Sequence, residues 1–380
     1  MFIKNLLKNV PKKSTQIYRK LRLCLFLKKY KILRKYEEKL YTLEIPCVIL
    51  FYVFKDVVLK TTCKMYEKFI FAEYISREVM NMQKKVQIVS DGSLDLSQEI
   101  TKEHDIEVVP FYVSFDSETY QKEMVELGVR DFYNEMVEHP DVFPKSSMPS
   151  VDDFYQVFKK SAKEQIPVIC ICITRKFSGS LQSAIVAKEM IEEEYPDAKI
   201  TLIDSTVNTV LQGLFVLEAC RLRDMGLEYE EIVEKILPIR ETGRIFFTIG
   251  SIDYLRHGGR IGKLAGIAAG ALGIKPMITL KEGEIFSSGL ARNRIKSMKR
   301  VVDMTKNYLD EIDAKPGEYD FCIGYGYDYD EAVRFREMIK DLIKERLGID
   351  EIGIYQIGAT IGVHTGSYPL GVGIIKKAEV

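Results

Sequence analysis

Two hydroxyl-rich segments stand just before stretches with helical spacing, and both could hold an anion. Ser178-Gly179-Ser180 follows an apolar run and opens a helical run, so hydroxyls and backbone N–H groups converge at a helix start. Lys145-Ser146-Ser147-Met148-Pro149-Ser150 precedes a second helical run; Ser150 with Asp153 is a partial capping signal, which leaves Ser146 and Ser147 with free hydroxyls. Read singly, each cluster is also a plain helix cap. A third segment ends the run from Val86 in Asp91-Gly-Ser-Leu-Asp95, where Ser93, Asp95 or Ser97 could cap a helix. Asp91 stands at the carboxyl end of that run, where α/β proteins bind ligands. A phosphohydrolase would want a second Asp at position 93, which is Ser.

Leu255-Arg-His-Gly-Gly-Arg-Ile-Gly-Lys263 has the look of a phosphate loop but lacks its requirements. His257 stands where the first Gly belongs, and Leu264 where Ser or Thr belongs. Gly262, Gly266 and Gly270, with Ala265 and Ala269, would give a helix one smooth face for a ligand or for tight backbone packing. His364 lies between Gly362 and Gly366 in a segment read as a loop, either as a core histidine or as a functional group. His104, His139 and His257 have no metal-ligand spacing, and no zinc pattern is present. Cys170 and Cys172 alternate on one strand and read as buried small hydrophobes.

The elements that must position these groups follow an alternating grammar. Apolar runs of strand length fall at 86–90, 106–113, 168–173, 200–203, 245–249, 275–280, 320–324, 352–356 and 371–375. Helical spacing fills 151–163, 181–194, 213–224, 294–311 and 328–346. That alternation predicts an α/β fold with mostly parallel sheets covered on both faces. Two lobes are expected, about 86–240 and 241–378.

Charge separates a different kind of segment. Residues 1–81 carry 18 basic and 7 acidic side chains, and the remainder carries 37 and 48, so a basic arm precedes an acidic body. The arm lacks Gly and interleaves Leu with Lys and Arg. Three readings of it stand: a helical arm making peripheral membrane contact, a helical extension packed on the body, or translated upstream sequence with Met82 as the start. The longest apolar run, 45–54, is too short to span a bilayer, and no secretory signal is evident. Seven irregularly spaced cysteines suggest a reducing compartment, so a cytoplasmic protein is expected. The acidic body lacks an Arg/aromatic platform, which argues against nucleic acid.

Taken in order, five motifs make the body resemble the DegV family, fatty-acid-binding proteins that serve fatty acid kinase in bacteria. They are Val-Ser-Asp-Gly-Ser-Leu-Asp-Leu (89–96), Ser-Ser-Met-Pro-Ser (146–150), Ser-Gly-Ser-Leu-Gln-Ser (178–183), Gly-Gly-Arg-Ile-Gly (258–262) with Leu-Gly-Ile-Lys-Pro (272–276), and His-Thr-Gly (364–366). The resemblance covers about 86–377 and none of the arm. It implies two α/β lobes enclosing a tunnel for a long, palmitate-like acyl chain. By position, Ser146 stands where the family has a carboxylate-binding Thr, and Ser178 at the other carboxylate-binding hydroxyl; Ser147 and Gly179 adjoin them. Arg260 and His364 match positions linked to the head group and to the kinase. Met148 replaces a usual Gln, Ser367-Tyr-Pro replaces Pro-Gly-Ala, and Thr209 and Leu211 replace Ser and Gly.

The function so implied is that of a non-enzymatic acyl carrier, without cofactor, that presents a fatty acid carboxylate to the catalytic subunit of a fatty acid kinase. Two alternatives from other classes stand beside it. One is a small-molecule hydrolase or phosphotransferase using Asp91, Arg260 and His364. The other is a membrane-docking scaffold whose function lies in the arm.

Overall fold

The computed structural model describes residues 86–264 and 274–379. The three readings of residues 1–81, and the smooth face at Gly266 and Gly270, lie outside the described residues.

A parallel four-stranded sheet organises the first half. β1 (Gln87–Asp91) leads through a 3-10 turn (Gly92–Leu94) to α1 (Gln98–Glu103), which Ser97 caps. Then come β2 (Ile106–Val109), the short β3 (Tyr112–Ser114) and β4 (Gln121–Lys122), α2 (Val129–Glu138) and β5 (Lys145–Ser147). α3 (Val151–Lys163) starts with a capping box, in which Ser150 accepts from the Asp153 N–H and the Asp153 carboxylate accepts from the Ser150 N–H. β6 (Val168–Cys172), α4 (Ser180–Glu194), β7 (Ile200–Asp204), α5 (Thr209–Asp224) and α6 (Tyr229–Ile239) follow. The sheet order is β2-β1-β6-β7. β1 is buried along its whole length because both faces are covered. Val89 looks toward Phe154, Phe158 and Ala187 of α3 and α4, whereas Ile88 looks toward Phe215 and Ile232 of α5 and α6.

The second half comprises β8 (Arg244–Thr248), α7 (Asp253–His257), β9 (Lys275–Lys281), β10 (Glu284–Ala291), α8 (Arg294–Glu311), β11 (Tyr319–Tyr325), α9 (Tyr329–Leu347), β12 (Gly353–Gln356), α10 (Ala359–Thr365) and β13 (Leu370–Lys376). Its sheet order is β10-β9-β8-β13-β11-β12. Only β11 and β12 pair in parallel, so this sheet is mixed rather than mostly parallel. One reason is local. Glu282 and Gly283 both take positive φ (52° and 77°), the geometry of a two-residue hairpin, and β9 must return antiparallel as β10. α8 and α9 cover one face of this sheet through Val301, Leu309, Phe335 and Ile339.

α5 lies between the sheets and joins them into one core. Leu211, Phe215 and Val216 share a cluster with Ile88 and Ile171 of the first sheet and with Ile245, Cys322 and Ile375 of the second. On so deeply buried a helix a charged side chain needs internal partners, and Glu218 has them: Arg221 and the Ala378 N–H donate to it. A third, three-stranded sheet, β4-β3-β5, packs with α2 against α10 through Val113, Phe132, Tyr133, Ala359 and Val363. Among the described residues no helix is long and apolar enough to cross a membrane.

Candidate functional site

All six residues singled out by sequence reading—Ser146, Ser147, Ser178, Gly179, Arg260 and His364—line one cavity of about 260 Å³. They arrive there on different elements. Ser146 and Ser147 lie on β5, whose register against β3 pairs Val113 with Ser146 and Tyr112 with Ser147. Ser178 and Gly179 form the turn that starts α4, where the Ser178 Oγ accepts from the Ser180 N–H at 3.2 Å. Arg260 follows α7 on an exposed loop. His364 is in the last turn of α10, not in a loop. Of the two glycines that suggested a loop, Gly362 lies within the helix and Gly366, at φ 79°, ends it; Gly358 is its extended N-cap.

Contacts link these groups into a ring. The Ser146 Oγ and His364 Nε2 are 3.2 Å apart, although 218 residues separate them. The His364 ring sits directly over Gly258, where any Cβ would overlap Nδ1 and lie 2.8 Å from Cε1. From there the Arg260 guanidinium donates to the Gly258 carbonyl (2.7 Å) and to the Phe177 carbonyl (3.1 Å), next to Ser178. Met148 then covers Gly179, its Sδ 2.6 Å from where a Cβ would stand. The turn before α4 is also tied to the second half at the β9–β10 hairpin. Lys176 donates to the Glu282 carbonyl (2.9 Å) and pairs with Glu284 (3.4 Å).

The electrostatics favour a negative guest. Burial, with Arg260's positive charge second, lowers the His364 pKa from its ordinary 6.5 to about 4, so the imidazole is neutral near pH 7. Its Nδ1 is buried without a hydrogen-bond partner. Arg260 brings a full charge, and Ser146 and Ser178 bring hydroxyls. Much of the remaining wall is apolar: Ile173, Val210, Ile245, Phe247, Leu280, Ile285, Ile357 and Leu370 line it. Gly324, Gly371 and Gly373 on β11 and β13 leave that wall without side chains, and Gly324 pairs with Gly371 in register. This arrangement suits a molecule with one anionic end and a long apolar remainder.

Asp91 does not join the group. It is fully buried and lies outside the cavity lining. Its Oδ2 accepts from the Ile173 N–H (3.0 Å) and the Ser180 Oγ (2.7 Å), and its Oδ1 from Gln212 Nε2 (2.8 Å). Burial raises its pKa, against the lowering effect of these donors. Asp91 thus anchors the start of α4 from behind, and the enzyme alternative loses the juxtaposition of Asp91 with Arg260 and His364 that it required. Cys170 and Cys172 are buried on β6 as expected.

Sequence reading passed over several groups here. Thr360 lines the cavity, yet nothing in its local pattern marks it, and Thr209, named only as a departure from the family pattern, lines it too. Phe143 stacks on His257 with ring centroids 3.7 Å apart and lies 5.0 Å from the Tyr254 ring, a contact between distant segments. Among the described residues only Glu135, Glu138 and His139 come close enough to share a cation; they are exposed, and none lines the cavity.

Comparison with known proteins adds independent findings. The profile described as "Uncharacterised protein, DegV family" matches residues 85–377. A DegV domain-containing protein of Clostridium perfringens is 30% identical over 293 residues, covering 77% of this chain and 99% of the relative. Among solved structures, a stearic acid-binding protein from Eubacterium ventriosum is 42% identical with a TM-score of 0.72, covering 77% of this chain and 98% of that one. A fatty-acid-binding DegV family protein from Thermus thermophilus is 26% identical with a TM-score of 0.67, covering 77% and 99%.

Proposed function

Because the chain belongs to the DegV family, we propose that it binds a long-chain fatty acid in the cavity between its sheets and presents the carboxylate to the catalytic subunit of a fatty acid kinase, which forms the acyl phosphate. The observation that carries this reading is the cavity itself, a ring of Ser146, His364, Arg260 and Ser178 joined to an apolar wall. Ser146 and Ser178 donate to the carboxylate, and Arg260 compensates its charge. With its Nε2–H donating to the Ser146 Oγ, His364 leaves the Ser146 proton free for the carboxylate. The apolar wall takes the tail. Each methylene withdrawn from water contributes about 0.8 kcal/mol, so the chain supplies most of the affinity and the polar ring sets the direction of entry.

The protein acts as a carrier and turns nothing over alone. The kinase, not this chain, supplies nucleotide chemistry, and Arg260, which lines the cavity and is exposed, is the group through which a partner would reach the head group. The test is native mass spectrometry of the purified protein followed by lipid extraction, then addition of a fatty acid kinase catalytic subunit with ATP. One co-purified fatty acid per chain and acyl phosphate formation that depends on this protein are expected. A mass unchanged by added palmitate would overturn the binding reading; binding without kinase-dependent product would overturn presentation alone.

A further inference from the structure

Two buried carboxyl groups meet behind the cavity wall, outside the ring just described. Asp95 ends the 3-10 turn after β1, and Glu123 follows β4 of the small sheet; they are 5% and 2% exposed. A Cβ placed on Gly358 would lie within 2.5 Å of both Asp95 Oδ1 and Glu123 Oε1, so the two oxygens are no more than about 5 Å apart. Neither carboxyl forms an ion pair with a Lys or Arg among the described residues. Asp91 adds further negative charge, and the Tyr133 hydroxyl on α2 is buried nearby without a partner. Two like charges in such a place repel strongly, and burial already disfavours each.

The remaining contacts show what the pair holds. Thr209 Oγ1 donates to Asp95 Oδ2 at 2.5 Å, and Thr360 Oγ1 to Glu123 Oε2 at 2.6 Å. The Thr360 N–H, at the start of α10, also points at both Glu123 oxygens (3.3 Å). Thr209 takes φ +50°, unusual for a β-branched residue, and the Asp95 bond holds it there. The pair therefore gathers the starts of α5 and α10 behind the cavity. The last turn of α10 carries His364, whose contact with Ser146 crosses between the small sheet and the second half.

We propose that Asp95 and Glu123 share one proton as a carboxyl–carboxylate pair, and that this pair is a positioning device that docks α10 and so sets His364 against Ser146. The proton removes the repulsion. The single remaining charge accepts from the hydroxyls and from the N–H groups at the start of α10. This role serves the proposed fatty acid site but is testable without it.

The experiment uses the full chain without ligand, as wild type, Asp95→Asn, Glu123→Gln and Asp95→Ala. Infrared spectroscopy at pH 8 is expected to show a protonated carboxyl C=O stretch in wild type that disappears in both amide variants. Absence of that band from wild type, or its survival in either variant, overturns the shared proton. NMR titration of the His364 imidazole is the second readout. Asp95→Ala is expected to move its pKa from about 4 upward by about one pH unit or more, and Asp95→Asn to recover most of that change. A His364 titration unmoved in Asp95→Ala overturns positioning. Should Asp95→Ala not fold, Glu123→Ala takes its place in the same titration and is judged by the same criterion. A palmitate titration then separates the two claims. Asp95→Ala should weaken binding about tenfold or more and add nothing to His364→Ala; multiplying losses would also overturn positioning. If wild type binds no palmitate, the function of the cavity falls while the infrared and NMR results still decide the pair.

Discussion

His364 offers the sharpest test of the site's electrostatics. The perturbation is acid, applied to wild type and to His364→Gln. In the folded chain the imidazole titrates at about 4, against its ordinary 6.5, because burial and then Arg260 oppose its charge. The unfolded chain therefore binds a proton between pH 6.5 and 4 that the folded chain refuses. Stability is fully present above pH 6.5 and is lost as pH falls toward 4. At 1.36 kcal/mol per pH unit, the full effect is about 3 kcal/mol. Asp91, Asp95 and Glu123, whose pKa values are raised, act in the opposite sense, since the folded chain holds their protons longer. The informative quantity is thus the difference between the two proteins in urea unfolding at pH 7.5, 6, 5 and 4.5. His364→Gln should gain on wild type by up to about 3 kcal/mol at the acid end. Superimposable profiles would refute the claim that His364 is held neutral.

The same reasoning extends to three substitutions. Gly258→Ala places a Cβ against the His364 ring while its own φ of −76° accepts alanine, so palmitate affinity should fall about tenfold or more and the low His364 pKa should be lost; an unchanged imidazole titration would refute the steric argument. Ser146→Ala removes a donor to the carboxylate, a bond to a charged group that is worth about 1.5–3 kcal/mol, so palmitate binding should weaken about tenfold or more. A fatty alcohol of equal length should lose much less, and equal losses would show that Ser146 does not read the head group. Gln212→Ala strips Asp91 Oδ1 of its side-chain donor in a fully buried place, and the cost should be about 1–3 kcal/mol in urea unfolding; a change below the error of the measurement would mean that Asp91 is sustained by Ser180 and the Ile173 and Ser93 N–H groups.

Much of this architecture was legible because its cues are local. Each of the nine expected runs holds a strand, although 106–113 divides into β2 of the first sheet and β3 of the small one, and helices over 151–163 and 294–311 match α3 and α8 to the residue. Buried parallel strands such as β1 and β6 are continuous apolar runs, and the Ser150 capping box announces α3. What escaped notice lacks such a cue. β4 and β5 are two or three residues long and carry Gln, Lys and Ser, so nothing in their pattern alternates; they exist because each pairs with β3 in the small sheet that packs with α2 on α10. α10 has seven residues with apolar and small side chains all round, which removes the one-sided stripe by which helices are recognised. The hairpin at Glu282–Gly283 was visible only as a Gly after a charged residue. The mixed character of the second sheet follows from how β8, β9 and β13 meet, which periodicity does not encode.

The candidate residues emerged from sequence for a different reason than the fold did. Ser146, Ser147, Ser178 and Gly179 precede helix starts that could be read from spacing alone, and His364 stood open between a core and a functional reading, whereas Arg260 depended on likeness to a family. Their convergence rests on contacts across the molecule: Ser146 on the small sheet meets His364 on α10, and Arg260 of the second half holds the Phe177 carbonyl of the first. A fatty acid carboxylate bound here would touch both halves at once, so its binding energy would be spent partly on holding them together. Ligand then stabilises the whole fold by RT ln(1 + [L]/Kd), about 2.7 kcal/mol at a hundredfold excess over Kd. An acyl carrier benefits from that coupling, because the apolar tail alone would make dissociation depend only on chain length. Polar bonds that a partner can replace one by one give the head group a separate path to release.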